Sequence, residues 1–309
     1  MKIVVTGASG QYGRLAVAGL LAQVPAEDLI LLTRSPDKLA DLAALGAQVR
    51  RGDFDEPASL AAAFAGGTRM LLISATRVGK RVGQHKAAID AGAAAGVRHI
   101  VYTSVVGIGP GNPAIVVRDH GPTEDAMRAS GMAWTALRDS QYADAVVHAM
   151  APNAIASARW LSSSGDGRIA VVARDDCVAC AVAVLTGAGH ENKVYDITGP
   201  ELLTYRQCAA MAAEISGRPI DYVATDDAGM YEMFDALGIP REPVDDQIVA
   251  GIPWNSDDMV TFEAAVREGF FDVISDDVER LTGRRPGTLR AMMEAHAAAL
   301  RQAGSQRPR

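Results

Sequence analysis

A doubly wound parallel sheet of α/β type, extended by a small C-terminal region, is the fold class that the sequence predicts. Uninterrupted aliphatic runs alternate with Ala-rich stretches of helical length in the first half of the chain, which is the order of successive βαβ units. The runs contain few polar residues, as expected for parallel strands that are buried on both faces. The chain also opens with a strand, a glycine-rich turn and a helix that follow without a gap.

The glycine-rich turn has the spacing Gly-x-x-Gly-x-x-Gly, and an apolar helix at 15–21 follows it. In such turns one glycine allows the tight turn, one lets backbone N–H groups reach a pyrophosphate, and one lets helix and strand pack closely. The pattern predicts a Rossmann-type dinucleotide site, with a tight turn that binds no ligand as the alternative. The residues that we place there are Thr6, Gly7, Ser9, Gly10, Gln11, Tyr12 and Gly13.

A second buried strand is predicted at 28–34, and its end indicates which dinucleotide is bound. An acid about 20 residues past the glycines would bind the ribose 2′-hydroxyl of NAD, whereas a basic residue accepts a 2′-phosphate. Arg34 stands there, with Lys38 one turn later and no acid in place. The pattern predicts NADP(H), with NADPH preferred over NADH. The alternative is that Arg34 is an ordinary exposed arginine.

The third strand, at 47–50, follows a helix at 35–45 and leads to Asp53 and Phe54. In folds of this type the residues after the third strand lie beside the adenine. We expect Asp53 to accept a hydrogen bond from the adenine amine and Phe54 to pack on the ring. Equally, Asp53 can cap the helix that begins near Pro57.

Three more strands complete a six-stranded sheet, and a Gly/Pro loop at 107–113 forms either a lid or a plain connection. The predicted elements are strand 70–74, helix 82–95, strand 97–104, helix 121–130 and strand 132–138. The carboxyl ends of parallel strands share one edge of a sheet, where ligands bind. Further cofactor contacts are therefore expected from Ser74, Ala75, Thr76, Thr103, Ser104 and Ser140.

Beyond residue 150 the pattern loosens into a small substrate-binding region that interleaves with the sheet. The predicted elements are strands at 169–172 and 194–198 and helices at 175–187, 205–217 and 286–301. The predicted organisation is an NAD(P)-binding Rossmann domain at 1–150, the substrate-binding region at 151–301 and a disordered tail at 302–309.

Composition limits the partners and the compartment. A net charge of -7 argues against a nucleic acid or an anionic membrane surface. No apolar run approaches the roughly 20 residues that span a bilayer. Three cysteines provide no disulfide framework, which is typical of a reducing cytoplasm. A homodimer is compatible with the sequence but is not indicated by it.

Four stretches, at 5–10, 52–53, 96–104 and 189–200, resemble the NmrA-like group of atypical short-chain dehydrogenases. Within that group the chain is similar to the type 2 NAD(P)H:quinone oxidoreductases and to triphenylmethane reductase. The resemblance implies NADPH held by the glycine-rich turn, with Arg34 on the 2′-phosphate. It also implies hydride delivery to an aromatic or quinoid electrophile.

The resemblance also directs the search for a proton donor. Most short-chain dehydrogenases use a Tyr-x-x-x-Lys pair, and none of the tyrosines here has a lysine four residues later. His120 occupies roughly the place of the catalytic lysine in the related benzylic ether reductases, and His85 that of a glutamine near the cofactor. His120 is therefore a candidate acid or a residue that caps or pairs at the start of its helix. Tyr142 is the second catalytic candidate, since it follows strand six near the nicotinamide.

Whether the protein has a proton donor determines which electron acceptor it can reduce. Hydride reduction of a ketone leaves an alkoxide that needs a proton donor, whereas a quinone or cationic dye spreads the incoming electron pair over its rings. If His120 is idle, a quinone or related aromatic electrophile is favoured. Reduction of a carbonyl or benzylic ether with His120 as the acid, and an NADP(H)-binding redox sensor, are the alternatives. The quinone reductases tend to have Asn where this chain has Asp139. Because of this difference, the resemblance does not establish that the substrate pocket is the same.

Two other motifs have plainer interpretations. Cys177 and Cys180 form a Cys-x-x-Cys, but a metal needs two further ligands and a buried apolar helix explains the spacing. No metal site is therefore predicted. A helically spaced apolar set can line an aromatic pocket or pack in the core, and core packing is favoured: Met230, Met233, Phe234 and Leu237.

Overall fold

Nine strands form the framework of the computed structural model, which describes residues 1–244, 249 and 254–303. They are β1 (Ile3–Val5), β2 (Leu29–Thr33), β3 (Gln48–Arg51), β4 (Arg69–Leu72), β5 (His99–Val105), β6 (Ala133–Asp139), β7 (Arg159–Ser162), β8 (Lys193–Ile197) and β9 (Asp221–Ala224). Seven of them make a parallel sheet in the order β3-β2-β1-β4-β5-β6-β8. β7 and β9 form a separate parallel pair.

Fourteen α-helices are seen in the described residues. They are α1 (Gln11–Leu21), α2 (Ala40–Ala44), α3 (Leu60–Phe64), α4 (Val82–Ala94), α5 (Ile115–Ala129), α6 (Ala143–Ala145), α7 (Ala151–Ser157), α8 (Arg174–Thr186), α9 (Tyr205–Ser216), α10 (Asp227–Ala236), α11 (Ser256–Arg267), α12 (Asp277–Thr282), α13 (Leu289–Ala295) and α14 (Ala297–Ala303). A π-helical turn at Val146–Met150 joins α6 to α7.

The large sheet is buried on both faces, as the uninterrupted apolar runs predict. Ile3 and Val5 face the helices α1 and α8, whereas Val4 between them faces α3 and α4. Both sets are fully buried because successive side chains of a strand point to opposite faces. The predicted doubly wound α/β fold is confirmed.

The strand order reverses between β1 and β4. From β1 the chain winds outwards through β2 and β3, then crosses to the other side and continues through β4, β5 and β6. The connections on either side of this point leave in opposite directions and open a crevice at the carboxyl ends of the strands. This crevice is where an open α/β sheet binds its ligand.

Several predicted boundaries were wrong. The helix before β6 begins at Ile115 instead of residue 121, so the connection that contains the Gly/Pro loop is shorter than predicted. The predicted strand at 169–172 is absent, because Ile169 and Val172 make only single bridges to Leu203 and Tyr142. The predicted tail begins too early, since α14 continues to residue 303. Residues 304–309 lie outside the described part of the chain.

The segment after residue 150 contributes to both parts of the molecule. β8 pairs with β6 in the large sheet, and α8 packs against α1 on its face. A second core surrounds β7 and includes Trp160, Tyr205 and Phe271. The division of the chain at residue 150 stays a prediction.

The two plainer motif interpretations agree with the structure. Cys177 and Cys180 are fully buried on α8. Met230 and Phe234 are buried in a small cluster with Ile239, while Leu237 is exposed. In the described ranges, no helix has both the length and the apolar character needed to cross a bilayer.

We predict that Gly13→Ala destabilises the protein by about 1–3 kcal/mol, the usual cost of overpacking. An added Cβ would lie 2.3 Å from the Gly7 carbonyl oxygen, so α1 would have to move away from the turn. Gly83→Ala is the matched control, because its Cβ would meet no described atom within 4 Å and alanine favours a helix. Denaturant unfolding measures both, and an unchanged midpoint for Gly13→Ala would contradict the packing argument.

Candidate functional site

The glycine-rich turn lies at the edge of the crevice with its backbone exposed. Gly7 has φ +59°, a left-handed conformation that glycine adopts without strain, and Gly10 is the N-cap of α1 without a side-chain cap. The first N–H groups of a helix have no partner within it, and those of Gln11, Tyr12 and Gly13 therefore point out of the turn. This cradle fits the pyrophosphate of a dinucleotide.

The turn is tied to the strands on both sides. The Thr6 hydroxyl donates to the Leu71 carbonyl at 3.1 Å and accepts from the Ile73 amide at 3.0 Å, which joins the ends of β1 and β4. The hydroxyls of Ser9 and Thr33 lie 2.8 Å apart and join the turn to β2. Thr6 thus supports the turn from within, and Thr33 is a contributor that the sequence analysis missed.

Basic side chains lie just past β2, at the far end of the crevice. Arg34 and Lys38 are both exposed. The guanidinium of Arg14, from α1, forms a 2.9 Å ion pair with Asp41 and donates to the Lys38 carbonyl oxygen. Two exposed basic side chains, Arg34 and Lys38, thus stand at the end of β2, where a basic residue accepts a ribose 2′-phosphate.

Asp53, which follows β3, does not cap the helical turn that begins near Pro57. Asp53 accepts from the Asp55 amide at 3.0 Å, in a local turn, and Glu56 instead of Asp53 occupies the N-cap of the 3₁₀ turn at Pro57–Ser59. The helix-capping alternative for Asp53 is therefore wrong. Phe54 is half-buried against the core on the α3 side of the sheet.

The segment after β4 forms the opposite wall of the crevice. Ile73 lies against Gly7, with 3.9 Å between the position of a Gly7 Cβ and the Ile73 Cβ. The Ser74 amide donates to the Thr103 hydroxyl at 2.9 Å, and the Ala75 amide donates to His85 Nε2 at 3.0 Å. Ser74, Ala75, Thr103 and His85 are thus brought together, and Thr76 follows them with an exposed side chain.

His120 lies inside α5, where it is 4% exposed, and does not cap the helix. Its Nε2 atom is 2.9 Å from a guanidinium nitrogen of Arg81 and its Nδ1 atom is 2.8 Å from the Tyr102 hydroxyl. Arginine can only donate, so Nε2 must accept, and the single ring proton resides on Nδ1 and points to Tyr102. Burial, followed by the charge of Arg81, lowers the pKa of His120 well below its usual value.

His85 is constrained in the same way. Its Nε2 accepts from a backbone amide, so its ring proton lies on Nδ1, 2.9 Å from the Thr123 hydroxyl. Burial, with a smaller contribution from Arg81, lowers the pKa of His85 to about 3. Both imidazoles are neutral hydrogen-bonding groups within the protein at neutral pH.

Ser104 points away from the crevice. Its hydroxyl donates to Glu124 at 2.7 Å, and Glu124 also accepts from Arg128 and Arg138. Although burial opposes it, this set of donors keeps the pKa of Glu124 below its usual value. The hydroxyl of Ser104 is therefore used to hold α5 against the sheet.

Asp139, which is buried, and Tyr142, which is half-buried, form a hydrogen-bonded pair at the end of β6. The Tyr142 hydroxyl donates to Asp139 at 2.8 Å, and the Tyr142 ring lies 6.4 Å from that of Tyr12 in the first turn of α1. Burial raises the pKa of Asp139 to about 7. Among the described residues, the buried atoms Asp139 Oδ1, Ser140 Oγ and Tyr12 Oη have no hydrogen-bond partner. Unpartnered polar atoms of this kind fit a site that a ligand completes.

The family model described as NAD(P)H-binding matches residues 7–187, which include the glycine-rich turn and five of the seven strands of the large sheet. The chain belongs to this NAD(P)H-binding family. The match covers more than half of the sequence, and it agrees with the cradle at α1. The NAD(P)H-binding chain also has named relatives along most of its length.

Three of these relatives are oxidoreductases. Quinone oxidoreductase 2 of Escherichia coli (strain K12) is 36% identical over 238 residues, 77% of this chain and 82% of the relative. The structure of the quinone oxidoreductase QOR2 from Escherichia coli with NADPH has a TM-score of 0.86, with 32% identity over 95% of this chain and 99% of that one. The NAD(P)H azoreductase of Xenophilus azovorans is 30% identical over 96% of this chain and 98% of its own.

The third relative is the triphenylmethane reductase of Citrobacter sp. complexed with NADP(H), with a TM-score of 0.82 and 29% identity over 96% of this chain and 99% of that one. The resemblance to the NmrA-like short-chain dehydrogenases is therefore confirmed, and the chain is an NAD(P)H-dependent oxidoreductase. The predicted cofactor class is confirmed as well.

Some site residues can be recognised from the sequence better than others. The glycines of the turn are recognisable because the backbone conformation itself requires their spacing. Ser104 was predicted to contact the cofactor, but its hydroxyl is bonded to Glu124 instead. Arg81 was missed: it is 5% exposed, and nothing in its local sequence marks it as buried. Asp258 was missed too, and its buried Oδ1 has no partner among the described residues.

We predict that Asp139→Asn changes how stability depends on pH. A carboxyl whose pKa is raised from 3.8 to about 7 in the folded state contributes stability that is fully present below pH 3.8 and is lost as pH rises through 7. The wild type should therefore lose about 1 kcal/mol per pH unit relative to Asp139→Asn between those limits. Urea unfolding at several pH values measures this, with Asp90→Asn on the exposed face of α4 as control. Parallel curves for wild type and Asp139→Asn would contradict the prediction.

Proposed function

We propose that the protein transfers hydride from NADPH to a quinone or a related aromatic electrophile, without a metal or flavin. The observation that carries this proposal is the state of the two histidines beside the crevice. Each accepts at Nε2 and directs its only ring proton to another protein group, so neither offers a proton to a substrate. With no Tyr-x-x-x-Lys pair in the sequence, the usual acid of short-chain dehydrogenases is absent as well.

The lack of a positioned proton donor favours one class of electron acceptor over another. A ketone becomes an alkoxide on reduction, and a positioned acid accelerates that step by about 10²–10⁴-fold. A quinone becomes a phenolate whose charge is spread over the ring, and it can take its proton from water. Turnover of quinones therefore needs only binding and alignment beside the cofactor.

Different residues along the crevice would bind different parts of NADPH. The N–H groups at the start of α1 hold the pyrophosphate, and Arg34 and Lys38 at the end of β2 bind the 2′-phosphate. Ser140, at the end of β6, is available to the nicotinamide end through its unpartnered hydroxyl. Relatives named as quinone, azo and triphenylmethane reductases support an aromatic acceptor that stabilises added electrons.

The pair of Asp139 and Tyr142 at the end of β6 supports a second candidate, reduction of a carbonyl in a small aromatic metabolite. Asp139 has a pKa of about 7, which is suited to proton exchange at neutral pH, and it is hydrogen-bonded to Tyr142. In this alternative Asp139 acts in its protonated form: it donates to the Tyr142 hydroxyl, Tyr142, the predicted catalytic tyrosine, gives its own proton to the substrate oxygen, and the Asp139 proton then passes to Tyr142. Burial, followed by the charge of Asp139, raises the pKa of Tyr142 well above its usual value, so Tyr142 would be a weak donor.

We predict that NADPH is oxidised by quinones much faster than by aromatic ketones or lignan-type benzylic ethers. The absorbance of NADPH measures the rate with each acceptor. Ketone turnover that is lost in Tyr142→Phe while quinone turnover persists would favour the second candidate. Tight binding of NADPH with no oxidation by any acceptor would contradict both candidates and indicate a redox sensor.

We also predict that Arg34→Ala weakens NADPH binding by about 10- to 100-fold, since a charge-assisted hydrogen bond contributes about 1.5–3 kcal/mol. NADH, which has no 2′-phosphate, should bind as before. Calorimetry with each nucleotide measures this, and Arg98→Ala, an exposed arginine before β5, is the control. Equal losses for both nucleotides would contradict a role at the 2′-phosphate.

A further inference from the structure

The backbone of Ala75 is held at both its N–H and its carbonyl group by buried side chains; the N–H and the carbonyl of this residue are called the Ala75 peptide below. Its amide donates to His85 Nε2 at 3.0 Å, and its carbonyl oxygen accepts from Arg81 at 2.7 Å. Ala75 follows β4 on the wall of the crevice, two residues after the contact between Ile73 and Gly7. The two successive peptide groups that meet at Ala75 are therefore each bonded to a buried side chain, which leaves this part of the loop little freedom to move.

Arg81 is itself fixed by contacts from α5. Its Nε donates to Asp119 at 3.0 Å and its Nη2 donates to His120 at 2.9 Å. Asp119 also accepts from the Gly79 amide at 2.6 Å, which fixes the segment between β4 and α4 a second time. The guanidinium therefore has three different acceptors: a loop carbonyl, a carboxylate and an imidazole.

The two histidines are held by the interior of the sheet. His120 Nδ1 lies 2.8 Å from the Tyr102 hydroxyl of β5, and His85 Nδ1 lies 2.9 Å from Thr123 of α5. The position of the Ala75 peptide is thus set by side chains of α4, α5 and β5 and by Arg81 before α4.

We propose that Arg81, His85 and His120 are positioning residues that preorganise the Ala75 peptide as a wall of the dinucleotide crevice. The proposal rests on NADPH binding at the strand-order reversal, and it does not depend on which acceptor is reduced. A wall that is already ordered costs no conformational entropy when the nucleotide binds. Loss of the clamp should therefore weaken nucleotide binding and leave the hydride step unchanged once the site is saturated.

The first test removes and then restores one acceptor. His85→Leu should raise the Kd for NADPH by about tenfold, the value of one buried hydrogen bond, with kcat on a quinone changed by less than about twofold. His85→Gln places an amide oxygen near the position of Nε2 and should recover most of the affinity. Calorimetry gives Kd without any acceptor, so a failure of quinone reduction leaves this result interpretable.

His99→Leu is the matched control. Like His85, His99 is buried, and it is bonded to a hydroxyl, that of Thr135 at 2.8 Å, but it lies at the amino end of β5, away from the crevice. This variant should lower stability and leave the Kd unchanged. A general loss of stability is thereby separated from a local effect on the wall.

Hydrogen exchange of the Ala75 amide keeps the proposal testable where a variant binds poorly for other reasons. The amide should exchange faster in His85→Leu than in the wild type, and His85→Gln should restore its protection. An unchanged Kd together with unchanged Ala75 exchange in both His85→Leu and Arg81→Met would overturn the proposal. It would also be overturned if His120→Gln left the Kd unchanged but lowered ketone turnover by about 100-fold, the effect expected of a general acid.

Discussion

The close approach of α1 to the end of β1 is the constraint on which the site depends. Gly13 has no side chain, and a Cβ there would lie within 3 Å of three backbone atoms of Gly7 and Ala8. Only with that contact does the first turn of α1 lie at the reversal of strand order, where its free N–H groups face the crevice. The ties from Thr6 to β4 and from Ser9 to β2 then hold the turn between the two halves of the sheet.

Burial determines the chemistry of the polar groups around this turn. His85 and His120 lose their basicity because a charged ring would be desolvated beside Arg81. Asp139 retains its proton more strongly for the same reason. The side chains that the family resemblance suggests as acids are thus used to organise the protein, and this leaves the acceptor to stabilise the transferred electrons.

The sheet and its crevice could be predicted from the sequence because their signals are local: uninterrupted apolar runs, and glycines between a strand and a helix. The use of individual polar side chains could not be predicted. Ser104 bonds to a residue 20 positions away and Arg81 to one 39 positions away, and neither separation follows a local periodicity. The start of α5 was placed too late because the Gly/Pro tract before it suggested a long loop, although the helix begins shortly after the tract ends.

β8, the last strand of the large sheet, affects how the chain folds during synthesis. β8 covers the edge of β6, and α8 covers the face of the sheet beside α1. Both segments follow residue 150, so a nascent chain that has emerged only to that point exposes an unpaired strand edge and an apolar surface. Such edges recruit other strands, which makes early release from the ribosome a route to aggregation. The first 150 residues are therefore expected to reach their native packing only after β8 and α8 have been synthesised and have docked.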